Sequence, residues 1–320
     1  MKHLPASFNA VCRAVLFAIA TCLAVLTAHA TTWTWDGGGG ANKNWTTTAN
    51  WSPNGTPLSG DTLVFADAWG KTTNNLATDT IFTLRLTSGG NDIYGNRIKL
   101  NGLYTYNTEP PPVHGGTNLI NLDLILNADV LHENTANECL INGDVNLNTH
   151  TLTLSNYYNC NSYYSGQITN TGNIVKRGTE DVYFTGTQAN TYTGTTTVRE
   201  GALRLGKKYV NGKGNTVGNT SIPGALIIGD NTGTNSYTTA SGAYDGGGAT
   251  VILDFGNQFD AITTTIYRDG WFDLNGYNDT IGSLVLSNGA VSTLTGTLTL
   301  NSNLTVAAGS TNAFIAGELS

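Results

Sequence analysis

Two aspartates are the strongest candidates for acid–base chemistry in this chain. Asp123 and Asp144 are 21 residues apart, and each comes shortly after a Leu-Ile-Asn triplet. If equivalent residues stack, two carboxylates about 5 Å apart could serve a retaining glycosidase, with one raising the pKa of the other. Asp123 lies between Leu122 and Leu124, however, so it points away from the apolar face. We therefore favour solvated carboxylates on an outer face and predict a chain that is not an enzyme.

The remaining chemical patterns are incomplete. The stretch from Gly201 to Lys208 is close to a phosphate-binding loop, but Lys208 stands where a Ser or Thr would hold magnesium. His132 and Glu133 begin a zinc-protease motif that has Ala136 in place of its second histidine. The sequence therefore predicts no catalytic, cofactor-binding or metal-ligating residue, and no cofactor.

Two cysteines remain once an export signal is removed, Cys139 and Cys160. They are 21 residues apart, and the sequence around them repeats with the same offset. In a stack of strands with rungs about 4.8 Å apart, this offset brings their Cα atoms within the range of a disulfide. Because an exported chain meets an oxidising compartment, we predict a disulfide between successive rungs. The alternative is two buried thiols.

Aromatic and basic residues are the candidates for ligand contact. A tyrosine cluster surrounds Cys160, and a basic cluster lies in the stretch that follows. Tyrosine combines an apolar ring with a polar hydroxyl, which suits the surface of a sugar. A plain surface loop is the alternative for the tyrosines. The predicted glycan-contact residues are Tyr157, Tyr158, Tyr163, Tyr164, Arg199 and Arg204.

The first 30 residues have the features of a secretory signal peptide. A basic leader with Lys2 and Arg13 precedes mostly apolar residues 14–26, and Ala28-His29-Ala30 supplies a small-x-small cleavage site. The apolar run is too short for a comfortable membrane span, and no later run comes near the roughly 20 residues required. We predict an exported chain without a transmembrane segment, located outside the cell, on the outer-membrane surface or in the periplasm.

Composition narrows the choice of partner and fold. The formal net charge is −7 for the whole chain and becomes −9 when Lys2 and Arg13 leave with the signal, which argues against nucleic acid as a partner. Only 12% of residues are charged, while Gly reaches 39 residues. Low charge combined with regular alternation of apolar residues and Thr or Asn favours an ordered β protein over a disordered one.

Internal repeats define the architecture. Leu119-Ile120-Asn121 returns as Leu140-Ile141-Asn142, a period close to 20 residues. Short strands at this period predict an all-β, right-handed parallel β-helix. We expect residues 71–320 to form its turns, with stacked asparagine side chains between them. Residues 31–70, rich in Trp and Gly, are expected to cap the first turn, since an open turn exposes both core and sheet edge.

One segment, residues 173–206, resembles a known repeat. It contains Lys176 and Gly178, then Asn190-x-Tyr192-x-Gly194-x-Thr196-x-Val198, then Gly201-x-Leu203-x-Leu205. This series resembles the autotransporter-associated β-strand repeat of bacterial passenger proteins, and the tryptophan-rich start is similar to that of large repeat-bearing surface proteins. The resemblance implies a non-catalytic structural or adhesin-like surface protein whose partner is a cell-surface or extracellular polysaccharide or protein. The alternative is a β-helix that binds or degrades polysaccharide.

Overall fold

The computed structural model describes residues 30–106, 116–135, 137–232 and 248–320. Nearly all of the predicted signal peptide, residues 1–29, lies outside the described residues. Residues 32–320 belong to one unit of the chain. That unit is a β-solenoid of about 11 turns with about 1% helix, so the predicted all-β parallel β-helix is confirmed.

Thirty strands and one short 3₁₀ helix, Thr48–Asn50, make up the described secondary structure. The first fifteen strands are β1 (Thr32–Trp35), β2 (Trp51–Ser52), β3 (Thr62–Phe65), β4 (Gly70–Asn74), β5 (Thr80–Leu86), β6 (Asn91–Gly95), β7 (Ile98–Thr105), β8 (Thr117–Ile120), β9 (Leu124–Leu126), β10 (Val130–Asn134), β11 (Glu138–Ile141), β12 (Val145–Asn146), β13 (Thr151–Asn156), β14 (Ser162–Tyr164) and β15 (Ile168–Thr169). The others are β16 (Asn173–Arg177), β17 (Val182–Phe184), β18 (Thr196–Val198), β19 (Gly201–Leu205), β20 (Lys208–Val210), β21 (Thr216–Gly218), β22 (Leu226–Ile228), β23 (Ala249–Leu253), β24 (Thr263–Tyr267), β25 (Gly270–Asp273), β26 (Asp279–Ile281), β27 (Ser283–Ser287), β28 (Ala290–Leu300), β29 (Leu304–Val306) and β30 (Phe314–Leu319).

Two long sheets run along the stack. Sheet A has 16 strands and follows the order β2-β1-β3-β5-β7-β10-β13-β16-β18-β22-β24-β27-β29, with β9, β12 and β15 attached beside it. Sheet B has 12 strands, from β4 through β6, β8, β11, β14, β17, β19, β23 and β25 to β28, which also pairs with β26 and β30. Strands β20 and β21 form a separate antiparallel hairpin. Parallel pairing between turns places equivalent residues in columns about 4.8 Å apart.

Alternation along each strand divides the side chains between core and outer face. In β17, for example, Val182 and Phe184 are fully buried while Tyr183 between them is half-buried. The buried residues of both sheets form one continuous apolar cluster. The free energy gained by burying apolar surface is proportional to the area buried. Each additional turn therefore adds stability by covering the turn before it.

The 21-residue repeat holds in one part of the stack and changes in others. Leu119 pairs with Leu140, and the side-chain amide of Asn142 donates to Asn121 Oδ1 at 2.8 Å, so the predicted asparagine ladder exists there. Further along, Arg204 of β19 pairs with Ile252 of β23. The intervening chain leaves the stack for the β20–β21 hairpin and later rejoins it, so the spacing is far from constant.

Tryptophans fill the N-terminal end of the stack. Trp35, Trp45 and Trp51 have no exposed surface, and the rings of Trp35 and Trp51 meet edge to face with centroids 4.9 Å apart. The Trp51 indole donates to the Trp45 carbonyl at 2.8 Å. Strand β2 runs antiparallel to β1 at the edge of sheet A. These indoles therefore serve as core residues, and their faces are not available to sugars.

The C-terminal end differs from the sequence expectation. The alternation of Leu294, Leu298, Leu300, Leu304 and Val306 with Thr indicates one apolar face. Leu298 is buried, but Leu294 is 67% exposed and Val306 54% exposed. Between Ser292 and Thr297, β28 has three more residues than β30, and this bulge turns Leu294 outward. Val306 instead pairs in register with buried Leu286, and it is exposed because β29 is the edge strand of sheet A.

Candidate ligand-binding surface

A column of outward side chains crosses sheet B in the middle of the stack. The strand register places one residue from each turn directly above the last. Because these residues sit between inward core residues, the alternation fixes their direction. In order along the stack they are Tyr163, Tyr183, Arg204, Ile252, Asp273 and Ser292.

The two tyrosines of this column stack on each other. Their ring centroids are 4.6 Å apart with planes 14° from parallel, and the Arg204 guanidinium lies 5.5 Å from the Tyr183 ring. The Tyr183 hydroxyl donates to Asp181 Oδ2 at 3.1 Å. Burial, followed by the charge of Asp181, raises the pKa of Tyr183. The facing ring surfaces of Tyr163 and Tyr183 cover each other, so a sugar ring can reach only their edges and hydroxyl groups.

Arg204 is held by a carboxylate from the neighbouring turn. Its Nε donates to Asp254 Oδ2 at 3.1 Å and its Nη2 to Oδ1 at 2.5 Å. Both side chains are half-buried. The paired geometry fixes the guanidinium plane and satisfies Asp254, which makes Arg204 a rigid part of the surface.

A trough lies beside this column, formed by the residues that come two positions later in the chain on each turn. The pairing of Phe184 with Leu205, and of Leu205 with Leu253, brings the residues that follow them into line. The Asn275 side chain donates to the Leu253 carbonyl at 3.1 Å, which places it on the next turn. We define the trough by these four residues: Thr185, Gly206, Asp254 and Asn275.

Two cavities lie along the trough. The first, of about 310 Å³, is lined by Thr185, Gly186, Thr187, Gly206, Lys208 and Asp254. The second, of about 500 Å³, is lined by Trp271, Asp273, Asn275, Ser292, Leu294, Ala316 and Gly317. Exposed Leu294 has a positive φ of 51° within the bulge of β28, and it forms part of the second cavity's wall. Polar atoms and apolar surface therefore alternate along the same row of turns.

Hydrogen bonds hold the polar side chains of the second cavity in place. The Trp271 indole donates to Ser292 Oγ at 3.0 Å, and Ser292 Oγ donates to Asp273 Oδ1 at 2.7 Å. The backbone N–H of Asn275 also donates to Asp273 Oδ1, at 2.9 Å. This leaves the oxygens of Asp273 and Asn275 as acceptors facing a cavity that already has fixed geometry.

The predicted glycan-contact residues do not form one site. Tyr164 is buried, and its hydroxyl lies 2.6 Å from His132 Nδ1 in the core. Tyr157 and Tyr158 lie in the turn before β14, where Tyr158 is 64% exposed. Arg199 follows β18 of sheet A, whereas Tyr163 and Arg204 belong to sheet B. Only Tyr163 and Arg204 share a column.

The two cysteines do not stack as the 21-residue offset predicts. Cys139 pairs with Ser162, because β11 and β14 are offset by two further residues. Cys160 lies in the turn before β14, where its Sγ contacts the Tyr158 carbonyl at 3.3 Å. Both are buried thiols in this structure and no disulfide joins them, which corrects the predicted bridge. Burial raises the pKa of Cys139 to about 12, a direction that disfavours the reactive thiolate.

Asp123 and Asp144 stack as expected, but each accepts a backbone bond from the next turn. Asp123 Oδ1 accepts from the Asp144 amide at 2.9 Å, and Asp144 Oδ1 accepts from the Gln167 amide at 2.7 Å. Asp123 is exposed, as its position between two leucines predicted. The carboxylates therefore tie successive turns together.

No protein-family model, curated protein or solved structure matches this chain. Within the described ranges, no group of three or more His, Cys, Asp or Glu side chains is placed to hold a metal ion. A search of those same residues for a helix with the length and apolarity of a membrane span also found none.

A buried lysine is the structural feature that the sequence reasoning missed. Lys176 lies in the repeat-like segment 173–206 that also contains Arg199 and Arg204, yet its side chain is fully buried. Its Nζ donates to the carbonyls of Arg177, Gly178 and Glu200 at 3.1, 2.6 and 2.9 Å. Three acceptors engage all three hydrogens of an ammonium group. The signal was available, because Lys176 follows Ile174 by two residues and so occupies an inward position.

Proposed function

We propose that this chain is an exported, non-catalytic structural or adhesin-like protein of the bacterial surface. The single observation that carries the proposal is the outer face of sheet B, where Tyr163, Tyr183 and Arg204 form an ordered column beside the trough. A regular stack of parallel strands holds this surface on a rigid base, and rigid scaffolds reduce the entropy lost on binding. The resemblance of residues 173–206 to the passenger repeat supports the same role.

The carboxylate geometry supports binding without hydrolysis. A retaining glycosidase needs one carboxylate as nucleophile and a second as acid, both directed at the bond that breaks. Asp123 and Asp144 instead direct oxygens at backbone amides of the following turns. The alternative is a β-helix that binds or degrades polysaccharide. Of these two activities, the trough favours binding.

The test uses the purified mature chain on surfaces coated with extracellular polysaccharide. We expect retention of the chain without release of new reducing ends. Tyr277→Ala, two residues along the chain from Asn275 of the trough, should weaken retention at least about fivefold, because Tyr277 is 36% exposed and packs on Phe255 with ring centroids 5.7 Å apart. Tyr267→Ala is the control, since Tyr267 is a half-buried tyrosine at the end of β24 in sheet A.

Two results would contradict the proposal. Release of reducing ends that disappears in an Asp123→Asn, Asp144→Asn double variant would make the chain an enzyme. Equal retention of both tyrosine variants would mean that the binding surface does not lie on sheet B.

A further inference from the structure

We propose that the trough is a binding site for a neutral, linear oligosaccharide lying parallel to the solenoid axis. This inference rests on the proposed function and names the chemistry of its ligand. The site is built from one residue per turn, with Thr185, Gly206, Asp254 and Asn275 following one another across β17, β19, β23 and β25. Three intervals of about 4.8 Å give the trough a length of roughly 14 Å, and the Leu294 wall extends it by a further turn.

Gly206 gives the trough its depth. It is flanked along the stack by Thr185 and Asp254, and a Cβ at this position would lie 3.2 Å from the Asp254 Cβ and 4.0 Å from the Phe184 carbonyl oxygen. Gly206 lines the first cavity and the contact with Asp254 is already tight for a Cβ, so a larger side chain here would have to project into that cavity. A repeating polymer fits such a linear depression better than a compact small molecule does.

The lining matches the two kinds of surface that a pyranose presents. The Thr185 hydroxyl can donate to or accept from equatorial hydroxyl groups, while the Asn275 side-chain carbonyl and the second oxygen of Asp273 can accept from them. Leu294 and Ala316 supply apolar surface in the second cavity. Apolar surface of this kind covers the C–H faces of a sugar.

Charge favours a neutral ligand. Asp254 is paired with Arg204, and the Lys208 ammonium lies 5.5 Å from the Phe255 ring centroid. Asp273 at the other end carries a negative charge of its own. An anionic polymer would meet Asp273, and a cationic one would meet both Lys208 and Arg204, so hydroxyl groups are the best match along the whole length.

An extended peptide fits this site poorly. Peptides bind sheets mainly by adding a strand to an open edge. The trough instead crosses the strands in the middle of sheet B, where the backbone groups of β19 already pair with β17 and β23. A ligand here can use only side-chain contacts, which is how oligosaccharides bind.

The experiment is calorimetric titration of the full mature chain with cellohexaose, laminarihexaose, maltohexaose and chitohexaose. We expect at least one to bind, and Gly206→Tyr to lower its affinity at least about tenfold by filling the trough. Gly212→Tyr is the control, because a Cβ at Gly212 in the hairpin meets nothing within 4 Å. Neither glycine has a positive φ, so both variants keep an allowed backbone. Circular dichroism and thermal melting verify the fold.

A second pair of variants keeps the test decisive if Gly206→Tyr fails to fold. Thr185→Val removes one hydroxyl with little change of shape and should weaken binding about threefold or more, whereas Thr197→Val on the outer face of sheet A should leave it unchanged. The inference is overturned if none of the four hexasaccharides binds, or if both members of a pair bind equally. Retention on polysaccharide surfaces together with no hexasaccharide binding would overturn this inference while leaving the proposed function in place.

Discussion

The two ends of the solenoid differ in how well their apolar residues are covered. At the N-terminal end, three fully buried tryptophans pack with Phe65, and antiparallel β2 covers the edge of β1. At the C-terminal end, strand β29 forms the edge of sheet A, and Leu304, Val306 and Phe314 are 43%, 54% and 38% exposed. One end buries its largest side chains, while the other leaves apolar residues in contact with solvent.

This difference shows where the stack gains its stability. In a solenoid each turn contacts only its neighbours, so within residues 30–320 the first and last turns have one partner instead of two. Large aromatic side chains compensate for the missing partner at the N-terminal end, because each buries extensive apolar area. The C-terminal turn lacks such compensation among the described residues and should open first. The trough lies between these ends, on turns that have partners on both sides.

The largest expected effect comes from removing one of the buried indoles. Trp51→Ala should lower the free energy of unfolding by about 3–5 kcal/mol, because it leaves a cavity and removes the bond to the Trp45 carbonyl. Leu304→Ala at the opposite end should cost less than about 1 kcal/mol. Urea denaturation of both variants checks the pair. Similar losses of unfolding free energy in Trp51→Ala and Leu304→Ala would contradict a difference in stability between the two ends.

The next effect is a loss of stability in acid that originates in the middle of the stack. Burial lowers the pKa of His132 to about 3, from an ordinary value of 6.5. The folded state thus holds His132 neutral while the unfolded state takes up a proton. This contribution is present above about pH 6.5 and is lost as the pH falls towards 3, at about 1.4 kcal/mol per pH unit.

The His132→Gln variant, whose side chain does not titrate, isolates the contribution of His132 to the pH dependence of stability. Between pH 6.5 and 4.5 the wild-type chain should lose roughly 2–3 kcal/mol more than the variant, measured by urea denaturation at each pH. Parallel pH profiles for the two proteins would show that His132 is not held neutral in the core.

A smaller and opposite pH effect is expected near the C-terminal end. Burial raises the pKa of Asp279 to about 7, although backbone amides of Gln258 and Thr280 donate to its carboxylate at 2.7 and 2.8 Å. The folded state keeps this proton while the unfolded state releases it near 3.8. The stabilisation is therefore complete at low pH and is lost as the pH rises through about 7, by up to about 2 kcal/mol between pH 5 and 7.

Hydrogen exchange resolved by peptide separates this effect from that of His132. Protection of β26 and its neighbours, corrected for intrinsic rates, should fall from pH 5 to pH 7.5, while Asp279→Asn should show a flatter profile. A steeper fall in the variant would contradict the assignment.

The smallest effect is expected at the exposed residues of the last turn. Val306→Ser should change the free energy of unfolding by no more than about 0.5 kcal/mol, since the side chain is already more than half exposed. Ile228→Ser, fully buried in the same sheet, provides the contrast and should cost several times more. A large loss in Val306→Ser would mean that the last turn is covered.

Much of the fold was predictable because strand alternation and the turn repeat are local signals. The Asn121–Asn142 ladder follows directly from the 21-residue period. The cysteine pairing failed because the offset between turns grows from 21 residues at β9–β12 to 22 at β10–β13 and 23 at β11–β14, and no residue type marks either insertion. The trough could not be read from the sequence, since Gly206 and Asp254 are adjacent only because the intervening chain leaves the stack and returns.

Hydrogen exchange of the unmodified mature chain at a single pH tests the asymmetric stack most directly. We predict the slowest amide exchange in β1 and β3, strong protection in β17, β19 and β23 beneath the trough, and the fastest strand exchange in β29 and β30. Protection of β29 and β30 equal to that of β1 and β3 would contradict the account, because the two ends would then be equally stable.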